Sequence, residues 1–236
     1  DCLWRYECVA HEVPINQIDR RECAVVIPEV FIEHTPDPPE KRLRLLRERN
    51  LPMLREAYAR SLGGPEDTRR RIILHLAQTY EGLADAEPHD VPGGEFLTLT
   101  ATAMSFYMRC IEMGGQSDEM LYAKSRYLDC AGAIGFYAPS EMLRRLSELI
   151  KEDPRRPDSA YMLAAWSVKT YGYSQRAIEA VTSAIRVIQE ANNLSVTLMP
   201  SSRSCLWKTY LLAAKWAAVN GYQDSERTYM QKYVAA

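Results

Sequence analysis

Between Ser159 and Ala191 the chain reads SAYMLAAWSVKTYGYSQRAIEAVTSAIRVIQEA. Tyr161, Ala164, Ala165 and Val168 recur at spacings of three and four, which places them on one face of an α-helix. Beyond Tyr171-Gly172-Tyr173, the residues Ala177, Val181 and Ala184 repeat that spacing on a second helix. A turn this short makes the two helices antiparallel neighbours. Glycine tolerates a positive φ that other residues resist, so Gly172 suits the end of the first helix. Small Ala164 and Ala165 let another helix approach closely.

The pattern returns twice. Around Gly221, Tyr210, Ala213, Ala214 and Ala217 stand at the offsets of Tyr161, Ala164, Ala165 and Val168, and Met230 and Tyr233 match Val181 and Ala184. Glu226 departs from the pattern where alanine is expected. Around Gly135, Tyr127, Leu128 and Ala131 fit before the turn, and Met142, Leu146 and Leu149 fit after it if the turn is two residues longer. An aromatic, two small residues and an apolar residue, a turn glycine, then Ala, apolar, Ala resembles the tetratricopeptide repeat, and the likeness covers about 118–236. The glycines are 37 and 49 residues apart, against a period near 34 for that family, so the repeats are irregular, with an insertion near 192–203. The resemblance implies an all-α fold of antiparallel helical hairpins in an irregular solenoid. A non-repetitive helical bundle is the alternative.

The first 39 residues differ. Few are helix-periodic. The run 24–32 is apolar and β-branched but interrupted by Pro28, which allows at best an edge strand. Thr35-Pro-Asp-Pro-Pro39 is a helix-breaking linker. The expected organisation is an extended N-terminal arm and linker over 1–39 and one helical-repeat domain over 40–236. Within the latter, the sequence predicts a helix over 40–62 that Pro52 kinks or splits, and a second over 67–84, capped by Asp67 or Thr68. The second buries Ile72, Ile73, Leu76, Ala77 and Tyr80 and carries Arg69–Arg71 in its first turn, read as solvated cations, with acidic neighbours or an anionic ligand as the alternative. A third covers 95–113, with Phe96, Leu97, Ala101, Met104, Met108 and Ile111 on its apolar face. Ser117 and Ser140 are expected to cap the fourth and fifth.

Net charge is −2, 47% of the 236 residues are hydrophobic and 25% are charged. That balance gives no bias toward nucleic acid or anionic membranes, so nucleic acid is a disfavoured partner despite the basic run 41–49. No run reaches the eighteen or so apolar residues that span a bilayer. No signal peptide is recognisable, which points to the cytoplasm, although a chain beginning at Asp1 would look the same after a leader was removed. Cys110, Cys130 and Cys205, on helical segments, read as buried small apolar residues.

Chemistry-bearing clusters are few. Cys2, Cys8, His11 and Cys23 are a three-cysteine, one-histidine set of zinc ligand types. Their gaps of five and fourteen residues lack the tight knuckle of structural zinc sites, so free thiols, or one disulfide, are the better reading. His34 and His89 each adjoin a carboxylate, an ordinary surface arrangement, and His75 lies beside an apolar helix face as a satisfied histidine. Phosphate-loop, dinucleotide, zincin and nucleophile-elbow motifs are missing. No cofactor is implied.

Fourteen tyrosines suit both helix packing and a binding surface. On the first helices of the hairpins, Lys124, Lys169 and Lys208, with Arg126 and Arg203 nearby, are the candidate lining of a groove. A basic helical groove suits an acidic peptide or a C-terminal carboxylate. The expectation is therefore a non-catalytic protein–protein interaction module that binds a peptide or protein on a concave helical face, with room for a homo-oligomer. The alternative is an enzyme or small-molecule-binding protein whose site is formed by the 85–94 loop and the N-terminal arm.

Overall fold

The computed structural model describes residues 4–7, 13–16, 38–87, 94–114, 118–154, 156–191 and 202–235. Among them are two short strands, ten α-helices and one π-helical segment. The expected edge strand at 24–32, the Ser117 cap and the insertion at 192–201 lie outside the described residues. By backbone packing the chain divides into two compact units, Asp1–Phe106 and Tyr107–Ala236.

In the first unit, β1 (Trp4–Glu7) and β2 (Val13–Asn16) pair antiparallel, with Trp4 opposite Asn16 and Glu7 opposite Val13. This is extended structure, as expected of the arm, in a place the sequence did not single out. The helix expected over 40–62 is three pieces: α1 (Pro39–Arg44), a π-helical segment (Leu45–Asn50) and α2 (Leu51–Ser61). Pro52 sits in the first turn of α2. Its ring would strike the carbonyl four residues back in a continuous α-helix, and a wider turn relieves that clash. The Leu51 N–H accordingly donates to the Leu46 carbonyl, five residues back.

Helix α3 (Glu66–Ala84) buries all five residues expected of it, and Leu74, Thr79, Leu83 and Ala84 besides. Pro65 precedes it and no side chain caps it, so neither Asp67 nor Thr68 plays that part. Asp67 instead pairs with Arg70 at 3.0 Å. The first-turn arginines are half-buried rather than solvated. Tyr80 stacks on Phe106 with ring centroids 5.6 Å apart and accepts from Arg55 at 2.6 Å. Gly82 lets the π-helical segment come close, since a Cβ there would stand 3.1 Å from Leu46 Cδ1.

Helix α4 (Glu95–Glu112) departs from expectation by one position. Phe96, Thr100, Ala103, Tyr107 and Cys110 are its buried stripe, whereas Leu97 is 48% exposed and Ala101 is exposed. A helix apolar on most sides offers two stripes, and periodicity alone does not choose between them.

The second unit continues with α5 (Asp118–Ala133), α6 (Pro139–Glu152), α7 (Pro157–Tyr171), α8 (Gln175–Ala191), α9 (Ser202–Val219) and α10 (Gln223–Ala235). Consecutive helices pack on each other, and α5 also touches α7 as α7 touches α9. That is the order of stacked hairpins: α5–α6, α7–α8 and α9–α10. The core of the stack joins Ala160 and Ala164 to Ile178, Val181, Ala184 and Ile188, and to Cys205 and Ala213. Cys110, Cys130 and Cys205 are buried and form no disulfide. The hairpin tips are tied together: Trp216 Nε1 donates to the Ser174 carbonyl at 3.2 Å and Asn220 Nδ2 to the Tyr173 carbonyl at 3.1 Å.

The turn glycines carry the positive φ expected of them, at 67° for Gly135, 62° for Gly172 and 77° for Gly221. At Gly135 and Gly221 the next residue's N–H reaches back five residues, Phe136 to Ala131 and Tyr222 to Ala217. These are Schellman closures. Met142, fully buried, lies seven residues after Gly135 against five from Gly172 to Ala177, the longer turn that the sequence required. Helix α6 starts on Pro139 after an Ala138 without a side-chain cap, so Ser140 lies inside the helix and caps nothing. The pattern weakens at the last hairpin. No described side chain of α10 is buried, and Met230 is 38% exposed.

Gly172 has ψ −155° with its positive φ, a region essentially closed to other residues. Gly172→Ala is expected to cost about 1–3 kcal/mol of stability. Gly63→Ala, which adds a Cβ with nothing within 4 Å at a residue of ordinary φ, is the matched control. Equal urea midpoints for the two variants would refute the assignment.

Candidate functional site

Among the described residues of the second unit, two places outside the buried interior gather polar side chains. The first is the face made by the first helices of the hairpins. Tyr161 on α7 is half-buried there. Its phenol is pushed above the ordinary tyrosine range, by burial first and then by Asp129 of α5 and Cys205 of α9. Lys208 of α9 stands 5.7 Å over the Tyr161 ring, and Arg126 holds Asp129 at 2.8 Å. Helices α5 and α9 thus bring charge and sulfur to one aromatic ring carried by α7. Further along α7, the exposed Lys169 lies 4.1 Å over the Trp166 ring, a pair one helical turn apart.

The second place is a cleft of about 220 Å³ between the end of α4, α5 and α6. Its floor is Met108, Ile111, Tyr127, Leu128 and Leu149. Its rim is charged and internally paired. Lys124 bridges to Glu152, Arg145 Nε donates to Glu141 at 2.7 Å, and Glu148 accepts from Arg144. Tyr127 Oη lies 2.8 Å from Tyr137 Oη. Burial, and then that hydrogen bond, push the Tyr127 phenol up to about 12. Arg145 covers the Tyr137 ring at 4.3 Å. Arg144, with help from Arg145, holds the half-buried Glu141 carboxyl down at about 2.

The five cations singled out in the sequence do not form one lining. Lys124 belongs to the cleft, while Arg126, two residues and 200° further round α5, belongs to the first-helix face with Lys208. Lys169 stands apart over Trp166, and Arg203 is in the first turn of α9 with its side chain outside the described residues. Sequence reasoning passed over Asp129, Arg145 and Glu152. Asp129 and Arg145 pair within their own helices, with Arg126 three and Glu141 four residues away, a spacing the sequence shows, whereas Glu152 takes Lys124 from another helix, which no local spacing marks. The Trp166–Lys169 spacing of three was a readable signal.

Cys2, Cys8, His11, Cys23, His34, His89 and most of the 85–94 loop lie outside the described residues. His75 is half-buried with Nδ1 2.9 Å from Gln78 Oε1, a satisfied histidine as expected. Among the described residues no three His, Cys, Asp or Glu side chains gather where they would hold a metal ion. No described helix is long and apolar enough to cross a membrane. Compared with known proteins, the chain matches no family model and no curated relative.

Proposed function

We propose that this protein is a non-catalytic interaction module of tetratricopeptide-like hairpins that binds a peptide or protein partner on the face of α5, α7 and α9. The observation that carries this reading is Tyr161, a half-buried ring flanked by Asp129 from the preceding hairpin and Lys208 from the following one. An aromatic body with a charged frame is the composition of contact surfaces, and a cation over a ring adds attraction when a partner excludes water. Buried Ala164, Ala177, Val181 and Ala184 around the positive-φ Gly172 support the repeat-family likeness. Arg126 and Asp129 offset each other, so Lys208 at the ring, with Lys169 further along α7, gives the first helices a cationic bias that favours an acidic peptide segment.

Selection of a display library of random linear peptides on the wild-type protein tests this. Acidic peptides should be enriched, and Lys169→Glu with Lys208→Glu should weaken them about tenfold or more, with binding falling as salt rises. Peptides indifferent to both lysines and to salt would sink the proposal.

A further inference from the structure

The cleft between α4, α5 and α6 has no part in the first-helix reading and stands independently of it. We infer that it is an anchor pocket for one large apolar side chain of a peptide or protein partner. Its volume of about 220 Å³ is below the roughly 300–1,000 Å³ of sites that enclose a drug-sized molecule. It has room for a single bulky side chain, the kind of anchor that dominates interface energetics.

The charges specify the occupant further. Lys124 and Glu152 neutralise each other, Arg145 is neutralised by Glu141 and Glu148 by Arg144. A charged group entering the cleft would leave water and meet no uncompensated opposite charge, which is unfavourable. An uncharged apolar group loses nothing by entering and gains the floor. Leu128 and Leu149, 6% and 3% exposed, are fixed by the packing of their helices. Met108 and Ile111 are half-buried and complete the wall from α4. The unbranched thioether of Met108 adapts to leucine, methionine or an aromatic ring alike. The paired rim surrounds this centre as a polar border, the arrangement of an interface hot spot.

The test uses the full chain with its methionine methyls labelled, the Met108 signal being assigned through Met108→Leu. Peptides enriched from the random linear library are titrated in, both intact and with their single large apolar residue changed to alanine. The expected result is a shift of the Met108 methyl with the intact peptide, a loss of affinity of about tenfold or more with the alanine peptide, and no binding to Ile111→Arg whose circular dichroism matches wild type. Should Ile111→Arg not fold, the Met108 shift and the alanine peptide decide alone. Enriched peptides that leave the Met108 methyl unmoved overturn the inference, as does a library that enriches none. A Met108 shift that follows protein concentration without peptide also overturns it, in favour of a second copy of this chain as the occupant.

Discussion

Asp158→Ala is expected to lower the stability of the second unit by about 3–5 kcal/mol, the usual effect of removing one partner of a buried ion pair. Arg156 is fully buried and Asp158 is 4% exposed. Arg156 Nε lies 3.2 Å from Asp158 Oδ1. Neither charge is screened by solvent, so the discount that applies to surface pairs does not apply here. Asp158 has two further roles. It accepts from Ser125 Oγ of α5 at 2.7 Å, and it stands in the first turn of α7, where a negative charge suits the helix dipole. Its loss leaves the Arg156 guanidinium buried with less compensation and the Ser125 hydroxyl without this acceptor. Ser125→Ala should cost only about 1 kcal/mol, the net worth of a hydrogen bond. Replacing both members, Arg156→Met with Asp158→Leu, should cost less than Asp158→Ala alone, because no charge is then left stranded. Urea denaturation of the four proteins measures this. A loss under 1 kcal/mol for Asp158→Ala would show that the buried pair contributes no more than a surface ion pair.

That pair marks where the sequence stops being readable. Arg155-Arg156-Pro157 looks like a solvated lead into a helix, and nothing local says that the second arginine is enclosed. Its partner Asp158 is itself held from α5, by Ser125 more than thirty residues earlier in the chain. The hairpin register, by contrast, was legible. Ala177, Val181 and Ala184 are all buried, since one face of a helix beside a polar opposite face leaves only one way to turn. The turn glycines were legible because a positive φ excludes most other residues. Helix α4 was misread by one position because its apolar residues run round most of its circumference. The caps expected from Ser140 and from Asp67 or Thr68 failed because Pro139, with φ already suited to the first turn, begins α6, and α3 begins at Glu66 directly after Pro65. Of the candidate site, Lys124 and Lys208 were singled out from their place on first helices. Glu152, Asp129 and the cleft depend on contacts between helices that no periodicity encodes.

Gly132 offers a case in which two such levels give opposite signs. Helix propensity alone favours Gly132→Ala by up to about 1 kcal/mol, less here because Gly132 is the next-to-last residue of α5. The packing opposes it. A Cβ at Gly132 would stand 2.8 Å from Trp166 Cζ2 and 3.0 Å from Met142 Cε. Met142 ends in a flexible methyl, but it is fully buried and has little room to swing. The Trp166 ring moves only as a body, and α7 and Lys169, stacked on its face, would move with it. Overpacking of this kind costs about 1–3 kcal/mol, so the clash exceeds the propensity gain and Gly132→Ala should destabilise by roughly 1–2 kcal/mol. Trp166→Leu removes the obstructing ring and costs stability of its own by leaving a gap. Combined with Gly132→Ala, the methyl enters that gap, and the double variant should be less destabilised than the sum of the singles, the coupling expected of residues in contact. A Gly132→Ala protein that melts higher than wild type would mean that α5 and α7 do not approach each other as closely as the Trp166 ring requires.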